Sequence, residues 1–360
     1  MFREDFVWGV ASSAYQVEGT DAADGRGACV WDMFAADGRV FEHQNADTSC
    51  DHMHHYKEDI ALMKHLGIRA YRFSLNWARI LPEGTGRVNE KAIAMYRDMI
   101  LTMKENGITP YLTLFHWEFP QALYERGGWQ NPDVVQWFGE YAKVVAENFS
   151  DICEYFITIN EPQCVVGLGH LSGAHAPGVK LPIAQTFLVA HHLLMAHGQA
   201  VINLRRYAVR PVKIGFAPTG GVAYPYTDRP EDIEAAKKVY FGFYNSIDNW
   251  TWNVSWFSDP VFLGHYPEEG LKKFAPYLPE ITQEDMELIY QPLDFMGQNI
   301  YNGYYVRAGA DGEPEFVDRA PGFPKTGSDW PVTPEAFYYG IKFLTERYPL
   351  PLYITENGMS

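Results

Sequence analysis

Two short segments, Thr158-Ile159-Asn160-Glu161-Pro162 and Ile354-Thr355-Glu356-Asn357-Gly358, each place a glutamate directly after an apolar run. The run before each glutamate has the length and the β-branched and aromatic composition of a buried strand. Side chains that follow the parallel strands of a barrel project into its mouth, where active sites form. We therefore expect Glu161 and Glu356 to meet at one end of a parallel barrel.

Apolar runs of this kind alternate with longer amphipathic stretches, a pattern typical of a parallel sheet covered by helices. Strands are predicted at 6–11, 68–74, 109–115, 154–160, 212–217, 294–299 and 352–356. Helices are predicted at 51–66, 88–106, 131–149, 182–208 and 333–347. The predicted fold class is α/β, a (β/α)8 TIM barrel of which about seven βα units are present in 360 residues.

The prediction treats 1–360 as a single, incomplete barrel domain. Segments 218–290 and 300–332 are longer than simple connections, and we interpret them as loops over the barrel mouth with one helix near 231–247. Seven strands leave unpaired edges on the first and the last, together with an uncovered apolar flank. Either a separate polypeptide supplies the eighth unit or the chain is a fragment of low stability, and both alternatives stay open.

Composition excludes several kinds of partner. The net charge of −16 disfavours binding to nucleic acid or to an anionic membrane surface, and no 18-residue apolar segment is present. The acidic start, Met1 to Asp5, does not resemble a signal peptide. The four cysteines have no Cys-x-x-Cys spacing, which favours free thiols and a cytoplasmic location.

Six motifs, found in order from residue 6 to residue 358, carry a resemblance to a known family along the whole chain. Four of them accompany the two glutamate segments: Phe6-x-Trp8-Gly9-x-Ala11-x-Ser13-Ala14-Tyr15-Gln16-x-Glu18-Gly19, then Arg72-Phe73-Ser74 with Trp77, Arg79, Ile80 and Pro82, then Leu114-Phe115-His116-Trp117-Glu118-Phe119-Pro120, then Asp294-Phe295-Met296-Gly297-Gln298-Asn299-Ile300-Tyr301. The sequence resembles the family 1 glycoside hydrolases, the retaining β-glucosidase family. Glycoside hydrolysis needs two carboxyl groups, one to protonate the leaving oxygen and one to attack the sugar carbon.

The resemblance implies that Glu161 is the acid/base and Glu356 the nucleophile. Arg72 is expected beside Glu356, where its charge keeps that carboxylate ionised, and Tyr301 is expected to donate a hydrogen bond to it. Two nearby carboxylates repel each other when both are charged, so the pKa of Glu161 should rise and let it hold the proton.

The resemblance also implies a set of substrate contacts. Gln16, His116 and Asn160 should hold sugar hydroxyl groups, with Asn160 on the 2-hydroxyl. Trp117 is expected in the wall of the site or in the core, Asn299 between the nucleophile side and the sugar-binding loops, and Trp330 at the leaving group. The expected partner is a β-glycoside, either a small oligosaccharide or an aryl or alkyl glycoside, and no cofactor or metal is implied.

The expected activity is hydrolysis of terminal β-D-glucosides and related β-glycosides by double displacement. A 6-phospho-β-glycosidase is the alternative within the class. The resemblance implies that such enzymes bind phosphate through the loop after the eighth strand. That loop lies outside the seven predicted units, so the alternative stays open. A non-catalytic sugar-binding or structural fragment, which needs the missing piece in trans, is the alternative from another class. The histidine-rich segment 51–55 resembles a metal cluster, but it starts a predicted helix and has no distant Cys/His partner set, so we do not interpret it as a metal site. The helical His191, His192 and His197 are spaced so that they do not share one helix face, and we interpret them as core residues.

Overall fold

The computed structural model describes residues 2–20 and 24–359. Its centre is a parallel sheet of seven strands in the order β1-β2-β3-β4-β5-β7-β10. The strands are β1 (Gly9–Ala11), β2 (Ala70–Ser74), β3 (Thr109–Phe115), β4 (Tyr155–Asn160), β5 (Lys213–Ala217), β6 (Val222–Pro225), β7 (Phe295–Asn299), β8 (Gly303–Ala308), β9 (Pro314–Val317) and β10 (Leu352–Glu356). Within the described residues β1 and β10 are not hydrogen-bonded, but they approach within 8 Å between Cα atoms. The sheet is a nearly closed barrel, which confirms the predicted fold class.

Helices surround this sheet. They are α1 (Ala14–Val17), α2 (Val30–Ala36), α3 (His52–His65), α4 (Trp77–Ile80), α5 (Glu90–Glu105), α6 (Gln121–Tyr124), α7 (Val134–Phe149), α8 (Pro162–Val166), α9 (Ile183–Tyr207), α10 (Pro230–Phe241), α11 (Val254–Phe262), α12 (Glu268–Phe274), α13 (Gln283–Ile289) and α14 (Pro334–Arg347). Single 3₁₀ turns lie at Phe41–His43, Gly128–Gln130 and Ala275–Tyr277, a longer 3₁₀ segment at Ile247–Trp252, and a π-helical turn at Gly167–Leu171. The five long helices predicted from periodicity are all present within three residues of their expected bounds.

Amphipathic spacing accounts for α5. Ile93, Tyr96, Ile100 and Met103 recur every three or four residues, and all four are buried against the barrel. The helix ends at Glu105, Asn106 caps it, and Gly107 follows with a φ of 75°, a left-handed conformation that glycine adopts without steric cost. The apolar stripe therefore fixes which face covers the strands.

The long helix α9 is buried along most of its length, as its nearly uniform apolar sequence predicted. It packs on α7 and α13. A Cβ at Gly198 would lie 1.8 Å from the Leu288 carbonyl oxygen, so α13 approaches the α9 backbone more closely than any side chain permits. Glycine at this position lets the two helices meet.

The connecting segments hold more secondary structure than the sequence predicted. The helix expected near 231–247 is present as α10, but segment 218–290 also contains β6 and α11–α13. Segment 300–332 contains β8, which pairs with β6, and β9, which pairs with β8, in a separate three-stranded sheet. The elements other than α10 are short, so none of them is long enough to give a periodic signal.

The first strand is shorter than predicted, because β1 pairs with β2 only at residues 9–11. Phe6, Val7 and Trp8 precede it and are 40%, 54% and 55% exposed. The rings of Phe2, Phe6 and Trp8 cluster with centroids 4.5–4.9 Å apart. The expected uncovered apolar flank is therefore present beside β1. Among the described residues, no helix combines the length and apolar composition that a membrane span requires.

Candidate active site

Four of the predicted site residues lie in, or directly after, four different barrel strands. Glu161 follows β4, and Glu356 is the last residue of β10. Arg72 lies within β2, and Asn299 ends β7. Because neighbouring parallel strands end at the same edge of a sheet, these side chains converge although the chain separates them by up to 284 positions.

Glu356 is held by one cation and one hydroxyl group. The Arg72 Nη1 atom donates to Oε1 at 2.6 Å, and the Tyr301 hydroxyl donates to Oε2 at 2.5 Å. Burial by itself would raise the pKa of Glu356, but the Arg72 charge and the hydrogen bonds from Tyr301 and Arg72 lower it below the usual glutamate value. Glu356 is therefore a carboxylate at neutral pH.

The surroundings of Glu161 shift its pKa in the opposite direction to that of Glu356. Its backbone has a φ of 44°, its amide donates to the Ala217 carbonyl oxygen at 2.8 Å, and α8 begins directly after it. The side chain is buried, with Asn299 Nδ2 at 2.8 Å from Oε1 and Cys164 Sγ at 3.0 Å from Oε2. Burial first, and the negative charge of Glu356 second, raise its pKa.

Asn160 joins the two glutamates through hydrogen bonds. Its Oδ1 atom accepts from Arg72 Nη2 at 2.6 Å and from Asn299 Nδ2 at 3.1 Å. A continuous chain of donors and acceptors thus runs from the Glu356 carboxylate through Arg72, Asn160 and Asn299 to Glu161. Two carboxyl groups held in one network with opposed pKa shifts can act as an acid and a nucleophile.

His116 lies next to this chain, and its tautomer follows from its neighbours. Arg72 donates to Asn160 Oδ1, so the Asn160 amide nitrogen is the atom 3.2 Å from His116 Nε2. That ring nitrogen therefore accepts, and the proton sits on Nδ1, 4.0 Å from Glu356 Oε1. Burial lowers the pKa of His116 to about 4, despite the opposing charge of Glu356, so the ring is neutral and Nδ1–H is available to a ligand.

The other predicted residues differ in how closely they join the network. Trp117 has a φ of 86°, and its indole nitrogen donates to the Asn160 carbonyl oxygen at 3.1 Å. Trp330 is 42% exposed, with its ring 5.3 Å from that of Tyr301. Gln16 is exposed on α1, and among the described residues no hydrogen bond links its side chain to the network.

Asn299 lies closer to the reacting groups than its sequence position suggested. It was expected between the nucleophile side and the sugar-binding loops, yet its amide nitrogen contacts Glu161 directly. Its Oδ1 accepts from the Thr355 hydroxyl at 2.6 Å, next to Glu356 in the chain. Sequence reasoning overlooked both Thr355 and Cys164, although Cys164 stands three residues after Glu161 at the start of a helix, a spacing that brings side chains together.

The histidine clusters have structural partners. His191, His192 and His197 contact the Tyr266 hydroxyl, the Trp129 carbonyl oxygen and the Thr158 hydroxyl at 3.0, 2.9 and 2.7 Å. His52 contacts Asp59 at 2.6 Å. In the part of the chain that the structure describes, no group of three His, Cys, Asp or Glu side chains is arranged to hold a metal ion. All four cysteines are free thiols, as predicted.

A paired acidic site of this kind at the mouth of a parallel barrel is typical of retaining glycoside hydrolases. The family model "Glycosyl hydrolase family 1" matches residues 1–360. The chain belongs to glycosyl hydrolase family 1 and is a glycoside hydrolase.

Characterised relatives support the assignment. The chain is 42% identical to "Beta-glucosidase A" of Thermotoga maritima over 99% of its own length and 78% of that protein. It is also 42% identical to a "1,4-beta-D-glucan glucohydrolase" of Thermotoga neapolitana, over 99% and 82% of the two chains. The solved structure of the Thermotoga maritima enzyme in complex with glucoimidazole matches with a TM-score of 0.87 over 99% of this chain and 79% of that one.

Proposed function

We propose that this protein, a retaining β-glucosidase, hydrolyses terminal β-D-glucosides and related β-glycosides with Glu356 as nucleophile and Glu161 as acid/base. The observation that carries the proposal is the difference in surroundings of the two carboxyl groups: Glu356 accepts from Arg72 and Tyr301, whereas Glu161 is buried and has no cation among residues 2–20 and 24–359 as a hydrogen-bond donor. Arg72 and Tyr301 keep Glu356 charged, while burial and the charge of Glu356 keep the proton on Glu161. Attack needs the first state and leaving-group protonation needs the second.

The reaction runs in two displacements. Glu356 attacks the anomeric carbon while Glu161 protonates the departing oxygen, which gives a covalent glycosyl-enzyme. Esterification removes the charge of Glu356, so the pKa of Glu161 falls and the carboxylate can then take a proton from the attacking water. The scheme requires only these carboxyl groups and their partners, without a cofactor or metal.

The remaining site residues bind substrate in this proposal. Asn160 contacts the 2-hydroxyl, His116 offers Nδ1–H to a neighbouring hydroxyl, and Gln16 closes the glycone side from α1, the short helix after β1. Trp117 forms part of the wall beside Asn160. Trp330, half exposed beside Tyr301, lies at the leaving-group side.

The relatives favour this function over both alternatives. They are β-glucosidases and a glucan glucohydrolase, which supports a non-phosphorylated glucoside over a 6-phosphoglycoside. The family match over the whole chain, with both glutamates in one hydrogen-bonded network, favours an enzyme over a non-catalytic sugar-binding fragment.

We also propose that residues 1–360 act as one catalytic domain whose open edges, on β1 and β10, are covered in the active enzyme by a unit equivalent to an eighth βα unit. The exposed Phe6, Val7 and Trp8 and the unbonded edges of β1 and β10 support this proposal. Adding the eighth unit as a separately expressed polypeptide should raise both the melting temperature and the rate of residues 1–360. If neither changes, the proposal is contradicted.

A cytoplasmic location is also proposed, because four free cysteine thiols favour a reducing compartment.

The nucleophile assignment is tested with an aryl β-glucoside and with a 2-deoxy-2-fluoro-glucoside that carries a good leaving group. Glu356→Gln should abolish turnover and the mass increase caused by the trapped fluoroglycosyl group. Peptide mapping of the trapped protein should place the label on Glu356. The matched control Glu284→Gln, on the exposed side of α13, should behave as the parent. Labelling of any other residue would refute the assignment.

A further inference from the structure

Glu161 has a partner on each of its two carboxyl oxygens. Asn299 Nδ2 lies 2.8 Å from Oε1, and Cys164 Sγ lies 3.0 Å from Oε2. Both Glu161 and Cys164 are buried, with 6% and 7% of their surface exposed. The oxygen that carries the acid's proton is therefore decided by which of these two partners can accept a hydrogen bond.

The orientation of the Asn299 amide is fixed by Arg72. A guanidinium group only donates, so Asn160 Oδ1, which lies 2.6 Å from Arg72 Nη2, is an acceptor. The Asn299 atom 3.1 Å from the same oxygen must be its amide nitrogen. The other end of that amide, Oδ1, accepts from the Thr355 hydroxyl at 2.6 Å. Asn299 therefore presents a donor to Glu161.

This orientation disfavours a proton on Oε1, because the N–H of Asn299 occupies a lone pair of that oxygen and the unprotonated oxygen of a carboxylic acid is the better acceptor. The proton of Glu161 is left on Oε2, which faces the thiol of Cys164. A thiol is a weak donor and a weak acceptor. It can accept from the protonated carboxyl group and, after rotation of S–H, donate to the carboxylate.

We propose that Glu161 carries its catalytic proton on Oε2 and that Cys164 is a positioning residue whose thiol reverses its hydrogen bond as Glu161 alternates between acid and base. The inference rests on the proposed acid/base role of Glu161. Because the thiol is a weak acceptor, it orients the proton without retaining it against a glycosidic oxygen.

The reversal follows the two displacements. In the first, a Glu356 oxygen bonds to the anomeric carbon, the glycosidic C–O bond breaks, and the proton on Oε2 moves to the departing oxygen. The thiol then donates to the Oε2 that this leaves charged. In the second, water bonds to the same carbon, the ester C–O bond breaks, and a water proton returns to Oε2, where the thiol accepts again. The thiol keeps its own proton throughout, since burial raises the pKa of Cys164 well above the usual value.

The test compares Cys164→Ser with Cys164→Ala in the pH dependence of kcat/KM for an alkyl β-glucoside, whose departure needs the acid. A hydroxyl group donates more strongly to the carboxylate than a thiol, so the serine variant should lose activity at a lower pH than the parent. The alanine variant has no donor and should lose activity at a higher pH. We expect each limb to move by about half a pH unit, the size of a weak hydrogen bond.

Cys153 provides the matched control. It is equally buried, and its thiol lies 3.5 Å from the Pro110 carbonyl oxygen, at the amino ends of the barrel strands. Cys153→Ser and Cys153→Ala should leave the alkaline limb unchanged. Unchanged limbs in both Cys164 variants, or shifts of both in one direction, would overturn the thiol's role.

An infrared measurement on the unmutated chain keeps the proposal testable if a variant fails to fold. The S–H stretching band of Cys164 should shift between the free enzyme and the fluoroglycosyl-enzyme, in which Glu161 is ionised. An unshifted band would refute the reversal.

A Glu161→Ala variant separates the proposed function from the role of the thiol. If this variant retains the alkaline limb of the rate profile, the acid/base assignment of Glu161 itself fails. If the limb is lost but the Cys164 variants leave it unshifted, only the role of the thiol fails.

Discussion

Replacement of Tyr301 by phenylalanine tests the electrostatic basis of the nucleophile. The substitution removes one oxygen atom, which lies 2.5 Å from Glu356 Oε2, and leaves the ring and its contact with Trp330 in place. Arg72 still holds the other carboxylate oxygen at 2.6 Å. The perturbation is therefore confined to a single hydrogen bond donated to a charged group.

The expected size follows from that geometry. A hydrogen bond to a charged group contributes about 1.5–3 kcal/mol, and each pKa unit corresponds to about 1.4 kcal/mol. Loss of the donor should therefore raise the pKa of Glu356 by about one to two units. Glu356 acts as a carboxylate, and its protonation at low pH stops the reaction, so the acid limb of the rate profile should move to higher pH.

The assay is kcat/KM for an aryl β-glucoside measured across the acid limb, with melting temperature recorded in parallel. Tyr338→Phe, which removes a hydroxyl from a 63% exposed ring on α14, is the matched control and should leave the limb unchanged. An acid limb identical to that of the parent in a folded Tyr301→Phe protein would refute the reasoning, because the hydroxyl would then contribute nothing to the charge of Glu356.

Three further outcomes are expected. Glu161→Ala should slow an alkyl glucoside far more than an aryl glucoside with an activated leaving group, because only the former needs a proton; equal losses would argue against an acid role. Trp330→Ala should raise KM for cellobiose roughly fivefold, about 1 kcal/mol of lost stacking, and leave inhibition by glucose unchanged; a larger effect on glucose would place the ring on the glycone side. Exposed apolar surface promotes association, so residues 1–360 are expected to self-associate through Phe6 and Trp8, and the paired change Phe6→Ser and Trp8→Ser should reduce this self-association in sedimentation without altering kcat; undiminished association would show that this flank is not the contact surface.

The fold was largely accessible from the sequence because its elements carry strong local signals. All seven barrel strands and the long helices correspond to apolar runs or amphipathic stretches. The segments 218–290 and 300–332 were interpreted as loops because β6, β8, β9 and α11–α13 are too short to establish a period. The start of β1 was overestimated, since Phe6 to Trp8 are apolar but the ladder with β2 begins only at Gly9, after a single bond from the Arg69 amide to the Trp8 carbonyl oxygen.

The site was accessible only in part. Motif position indicated Glu161, Glu356, Arg72 and Tyr301, and the structure brings all four into one network. The contact of Cys164 with Glu161 depends on the backbone turn at the end of β4 and on the first turn of α8, and no motif signalled it.

The sequence by itself determined that strands and helices alternate and that a carboxyl group ends each of two strands, because these are properties of neighbouring residues. Only the tertiary structure decided which carboxyl group is charged, which oxygen of Glu161 carries the proton, and which tautomer His116 adopts. Those states depend on burial and on hydrogen bonds from β2, β4, β7 and β10, elements that are distant along the chain and become neighbours only when the barrel forms.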